Sequence, residues 1–324
     1  MDFTNLPNKP LYHSIFHATS TGTTSGALVT PTNWRVWNKP PNITHVYMYV
    51  LGAGGAGGGG RTGGLTSGGG GGGGGSSSIT IALYPAYLLP DVLYVSVGIG
   101  RDGSTAGTGA NSGALSYVSI QPSTLPLNIL AQSGNAPAGG GGGGTNTGTG
   151  AGVGGSAGTA WTYTNNPLNA FGMITSAAGQ AGGAGGSNVP ADAPDITPVL
   201  TVTGGAGGGS TNVSGGALGQ PGDIVGSGFL PRISGGTNNS ATVSIRNGNA
   251  GFMGIIPTTN SYLNKPMMFT GGSGGGAGGS SGLSGGTGGN GSYGSGGGGG
   301  GASYGSTGGS GGRGGDGLVL ISCW

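Results

Sequence analysis

Two stretches of the chain have the glycine spacing that cradles a dinucleotide. Gly52-Ala-Gly54-Gly-Ala-Gly57 and Gly98-Ile-Gly100-Arg-Asp-Gly103 each read G-x-G-x-x-G directly after an apolar run. The fingerprint works only where the loop opens a helix whose N-terminus faces the pyrophosphate, with an acidic residue about twenty positions on. Here more glycine follows the first and Ser104-Thr-Ala-Gly107 follows the second, so neither opens a helix and no cofactor is expected. G-x-S-x-G around Ser273 and Ser310 lacks the strand-to-helix elbow that presents a nucleophile. His13 and His17 stand four apart, a spacing that holds a metal on a helix, but no carboxylate or thiol lies near and no metal is expected. The seven acidic residues are dispersed aspartates and the three histidines all precede residue 46. No acid/base pair and no nucleophile with an orienting base can be assembled from these, so the chain is expected not to be an enzyme.

Recognition is the chemistry that remains. Trp161, Tyr163, Asn165, Asn166 and Phe171 form one cluster, with Phe229, Phe252 and Tyr262 further on. Aromatic rings beside Asn and Ser have the composition of carbohydrate or protein recognition loops, and equally of a small local core. Residues 1–32 carry three prolines and no glycine tract. They read as a docking arm, with Tyr12, His13, Phe16 and His17 as its contacts, or as a loosely held terminus.

The elements that must hold these segments are written in the glycine. From Ser284 side chains return every third residue, at Thr287 and Asn290, and again at Thr307, Ser310, Arg313 and Asp316. Three residues per turn without internal hydrogen bonds is the polyproline-II geometry. X-Gly-Gly then lines one edge with side chains and leaves two edges bare, so that neighbouring backbones approach and exchange N–H···O=C bonds. Gly68 to Gly75 and Gly296 to Gly301 carry no side chain at all, which predicts rods with neighbours on every side. Glycine numbers 88 in 324 residues, a composition shared with disordered chains, yet only 5% of residues are charged and 33% are hydrophobic. The hydrophobic residues gather into strand-like runs at Thr44–Leu51, Ser78–Leu83, Leu93–Val97, Leu115–Ile120, Leu127–Leu130, Val199–Thr203 and Ala241–Ile245. Thr147 to Val153 alternates by two, as a strand with one bare face does. The closing Leu318–Trp324 is expected to pair with the opening strand near Val46. The fold class predicted is all-β: sandwich-like strands with a packed bundle of polyglycine-II helices and essentially no α-helix. Residues 33–324 form that body, with 133–270 as an aromatic-bearing insertion and 271–324 as a closing glycine block.

A net charge of +2 leaves no electrostatic footprint for nucleic acid. The single cysteine, Cys323, excludes an internal disulfide. The N-terminal residues lack a secretory pattern and no apolar run is long enough to span a bilayer, so synthesis in the cytoplasm without membrane insertion is expected.

Several of these parts together resemble the glycine-rich domain of bacteriophage tail-fibre and other virion proteins. They are Trp34 to Val36, Pro40-Pro41, Val46 to Gly55, Val95 to Gly103, and Gly314 to Ile321. The likeness covers about half of the chain, mainly its ends, and Pro-Pro-Asn replaces the usual P-x-G turn. A weaker likeness is to tail-fibre adhesins of T-even-like phages, polyglycine sandwiches with receptor loops at one end. The resemblance implies a virion protein at a tail fibre or tail tip that binds a host surface glycan or outer-membrane protein. Its partners would be other virion proteins, in a homo-oligomer or a larger assembly. The alternative it implies is a capsid decoration or baseplate protein with a purely architectural role. Ice or mineral binding would need a long flat face, which the irregular middle argues against.

Overall fold

The structure is a computed structural model of the chain. It describes residues 12–18, 33–62, 67–145, 150–162, 166–187, 191–198, 202–212, 218–226, 231–238, 243–252, 269–278 and 282–324. In chain order its strands are β1 (Tyr12–His17), β2 (Arg35–Asn38), β3 (His45–Leu51), β4 (Ile79–Pro85), β5 (Val92–Ser96), β6 (Tyr117–Ser119), β7 (Ile129–Gln132), β8 (Met173–Ala177), β9 (Ser210–Thr211), β10 (Leu218–Gly219) and β11 (Leu318–Cys323). The longest α-helical segment among the described residues is one turn, α1 (Val243–Arg246). The chain is all-β.

Two antiparallel sheets, ordered β1-β11-β3-β4-β8 and β2-β5-β6-β7, face each other. Alternation divides each strand between two environments. In β3, Val46, Met48 and Val50 enter the core between the sheets with Trp37, Tyr84, Leu93 and Leu130. Tyr49 and Leu51 point the other way, against Val202, Phe269 and Leu318. The last strand pairs with β3 so that Cys323 lies opposite Val46, where the sequence placed it.

The glycine tracts run from the sandwich as rods. Along 53–61 successive amides donate to three partners in rotation. Ala53, Ala56 and Gly59 bond Ala114, Asn111 and Thr108; Gly54, Gly57 and Gly60 bond Gly315, Gly312 and Gly309; Gly55, Gly58 and Arg61 bond Gly75, Gly72 and Gly69. Three donors per turn aimed at three different neighbours is the polyglycine-II arrangement. The carbonyls of the same rod accept from three more rods, through Gly141 and Gly144, Ser104 and Gly107, and Gly297 and Gly300. Rods 69–77 and 294–303 are likewise surrounded by six neighbours, which fulfils the expectation for the two bare tracts. Contact is backbone to backbone: a Cβ added at Gly299 would lie 1.9 Å from the Gly71 carbonyl oxygen. At the rim the phasing surfaces as side chains, with Thr287 and Asn290 exposed and the glycine pair between them buried. Rods successive in the chain run alternately away from the sandwich and back to it, turning at the remote end on residues such as Gly107 (φ 73°) and Gly305 (φ 70°).

Where a rod becomes a strand the period changes from three to two, and backbone groups lose their lateral partners. Buried serines fill those places, because a hydroxyl donates and accepts at once. Ser116 Oγ donates to the Leu51 carbonyl and accepts from Gly98 N. Ser133 Oγ accepts from Ser116 N, and Ser76 Oγ joins Val202 to Gln180.

Four expectations change. Residues 243–246 are a helical turn rather than part of a strand, because the chain there reverses at the end of the bundle remote from both sheets. Gly152 and Gly155 donate to Gly70 and Gly73 at intervals of three, so the described part of 147–153 is a rod set by its neighbours rather than a strand. Residues 126–128 form a short 3-10 turn ahead of β7. The span 133–270 adds rods to the same lattice and β8 to the main sheet, so it is built into the body. Most of 199–203 lies outside the described residues; Val202 forms an isolated bridge with Phe269.

Candidate recognition surface

The sandwich has one free end, opposite the rods. Register fixes it: Cys323 pairs with Tyr12 and Val46, Val46 with Tyr84, Leu83 with Met173, and Asn38 with Val92. Beyond this row lie the connections 39–44, 86–91, 120–128 and 166–172. They carry exposed apolar residues, Tyr87 at 83% and Leu125, Leu127 and Phe171 at 64%, and Met173 at the start of β8 is 75% exposed beside them in sequence. Exposed large apolar groups gathered at one end of a body are a feature of interaction sites.

The sequence-derived candidates divide sharply. Phe171 ends a 3-10 turn (Pro167–Phe171) and stands exposed at this tip beside β8. Trp161 is 8% exposed and belongs to the core between the sheets, its amide donating to Ser176 Oγ. Asn166, at 5%, caps the turn by accepting from Leu168 N and donates its amide to the Ile129 carbonyl. Both were placed in the receptor-facing set; burial makes them structural, and the local-core alternative holds for them. Phe252 is partly exposed away from the tip, its amide on Thr270 Oγ1. Tyr163, Asn165, Phe229 and Tyr262 lie outside the described residues.

The docking candidates are also displaced. Tyr12, His13, Phe16 and His17 are a strand, not a free arm, and β1 pairs along its length with β11. Phe16 packs toward the core beneath the Arg35 guanidinium, 5.2 Å from its ring centre. His13 and His17 share a face but stand about 13 Å apart at strand spacing, too far to share a metal. His13 Nδ1 lies 2.8 Å from Ser322 Oγ and His17 Nδ1 lies 3.1 Å from Tyr293 Oη. Burial lowers the His13 pKa.

Both dinucleotide-like stretches are rod segments whose amides face other protein atoms; Gly54 N bonds Gly315 O and Gly100 N bonds Asp316 Oδ1. Asp316 is held in turn by Arg313, 2.6 Å away. A cleft of about 540 Å³ among the rods contains Asp192, Asp195 and Asp223. These carboxylates accept from Gln220 N, Asp223 N and Gly235 N, tying rods together where glycine contacts end. No cluster of three or more His, Cys, Asp or Glu able to hold a metal occurs among the described residues.

One unit stands out in this geometry: β2, the Pro40-Pro41 turn, β3 running into a rod, and β5 returning into Gly98. Residues 29–136 match the family model of a glycine-rich domain. That glycine-rich domain spans β2 to β7 and the rods between them, about a third of the chain. β1, β8 and β11 complete its sheet from outside the match. No curated protein matches the chain.

Proposed function

We propose that the chain is a bacteriophage virion protein at a tail fibre or tail tip, and that the free end of its sandwich contacts the host surface. The observation that carries this is the exposure of Tyr87 and Phe171 on short connections, and of Met173 at the start of β8, at one end of a body stiffened by hydrogen-bonded rods. Such a body presents fixed apolar and aromatic groups at little ordering cost on binding. Residues 1–11, which precede β1 in the sequence, would dock the protein to its particle. The test is a Tyr87→Ala, Phe171→Ala double substitution in assembled particles. Assembly should be retained and host adsorption lost; unchanged adsorption refutes the assignment. Removing 160–171 outright would take Trp161 from the core and would not separate binding from folding.

The abundance of aliphatic groups at the tip, Leu125, Leu127 and Met173, favours a second reading, an architectural contact within a capsid or baseplate. In that case the same substitutions release the protein from the particle and leave the adsorption of other tail components untouched.

A further inference from the structure

The free end of the sandwich contains a groove of about 600 Å³, within the roughly 300–1,000 Å³ usual for small-ligand sites. Its walls are the connections 38–43 and 86–92. Both are rigid. Pro40 and Pro41 fix one, and Asn42 holds it in a left-handed conformation (φ 62°). A 3-10 turn (Ala86–Leu88) forms the other. Lys39 ties them together: its backbone N donates to Asp91 O, and its ammonium bonds the carbonyls of Ala86 (3.2 Å) and Leu89 (2.7 Å) and the Asp91 carboxylate (3.0 Å).

The groups left free describe a ligand. An ammonium has three N–H donors, and Lys39 has three acceptors, one of them the Asp91 carboxylate that balances its charge, so it has no donor left for an anion. The Asp91 side chain is 91% exposed and would repel one. The amides of Asn38 and Asn42 line the groove, make no side-chain hydrogen bond among the described residues and offer donors and acceptors. Tyr87 supplies an exposed aromatic ring. A flat apolar face beside a carboxylate and two amides is complementary to a pyranose, which has C–H groups on one face and hydroxyls around its edge.

We propose that this groove is a subsite for a neutral hexose. The proposal rests on reading this end of the sandwich as the recognition surface, and it assigns that surface a ligand class. Binding of one sugar in an open, preformed groove is weak, with Kd of order 1 mM; avidity in an assembly would raise it.

The test is saturation-transfer NMR on the full chain with the methyl glycosides of glucose, galactose and mannose. At least one should receive saturation on its ring protons. Tyr87→Ala should remove the effect and Tyr87→Phe should keep it, because the ring and not the hydroxyl is needed. Asp91→Asn should weaken it several-fold. Tyr87 is exposed, so its loss should leave thermal unfolding unchanged. Transfer to none of the three glycosides, or transfer that survives Tyr87→Ala, overturns the proposal. Adsorption of particles carrying Tyr87→Ala separates the two levels. Sugar binding lost without loss of adsorption leaves the groove standing and removes its receptor role. No sugar binding, together with adsorption lost in the tip double substitution, removes the groove and leaves the recognition end.

Discussion

A single methyl group placed inside the lattice should be enough to unfold it. The Cβ of Gly299→Ala would meet Gly71 O at 1.9 Å, Gly71 C at 2.6 Å and Gly208 N at 2.9 Å, all backbone atoms. Restoring ordinary contact requires rods 69–77 and 294–303 to separate by about 1.5 Å. Three bonds join these rods: Gly71 N–Gly300 O and Gly74 N–Gly297 O at 2.8 Å, and Ser77 N–Gly294 O at 2.7 Å. That separation stretches each beyond hydrogen-bonding distance, and no water can reach the groups exposed. At about 1–3 kcal/mol for each buried bond broken, the loss is ~3–9 kcal/mol, comparable with the ~5–15 kcal/mol that keeps a typical domain folded. Alanine itself is tolerated in the lattice, since Ala302 in rod 294–303 and Ala206 in an adjoining rod are fully buried. The matched control is Gly109→Ala, whose Cβ meets nothing nearer than 3.8 Å and should stabilise by ~0.4–1 kcal/mol through the unfolded chain. Urea denaturation of both variants measures the difference. Equal midpoints would refute the close-packed lattice.

Other outcomes follow from the same geometry. Amides of 69–75 and 296–301 should exchange with solvent only through global opening, whereas Gly109 should exchange within the dead time of the measurement; hydrogen-exchange mass spectrometry or NMR resolves the two classes. Tyr84→Phe removes the hydroxyl lying 2.7 Å from both Leu130 O and Asn169 Oδ1, and should destabilise by about 1–3 kcal/mol in denaturant titration. Cys323 is buried and its thiol is pushed up to about 11, so an aromatic disulfide reagent should find no reactive thiol at mildly alkaline pH until the chain is unfolded. Burial lowers the His13 pKa below its ordinary 6.5, so as pH falls the unfolded chain takes up this proton first. Stability should therefore decline below pH 6.5 and level off once the folded histidine is protonated. His13→Gln should flatten that slope, and an unchanged slope in urea denaturation at a series of pH values would exclude His13 as its source.

The scaffold was legible because its rule is local. Thr287 and Asn290 announce three residues per turn, and the bare tracts at 68–75 and 296–301 announce enclosure, without knowledge of any partner. Strands β3, β4 and β11 were legible for a similar reason, as each is a run of apolar and β-branched residues abutting glycine. What escaped depends on remote partners. In β1, Tyr12, Ser14 and Phe16 face one way and His13, Ile15 and His17 the other, so neither face is uniformly apolar and only β11 makes it a strand. Val243 to Ile245 has strand composition but pairs with no strand among the described residues; its Ile245 carbonyl accepts from Thr237 N instead. Ring and amide composition made Trp161 and Phe171 equivalent, while the fold buries one and exposes the other. The groove had no signal beyond the Pro40-Pro41 turn, because Asn38 and Asp91 meet only when β2 pairs with β5.

The rotation of donors around each rod also makes the molecule a ruler with fixed graduations. One more X-Gly-Gly triplet lengthens a polyglycine-II helix by about 9 Å and returns every amide to the same azimuth. A lone rod extended in this way overhangs its neighbours with nothing beside it to bond. Changes in span must therefore come in whole triplets and in many rods together, while the connections at either end can vary in sequence and length without disturbing the graduations.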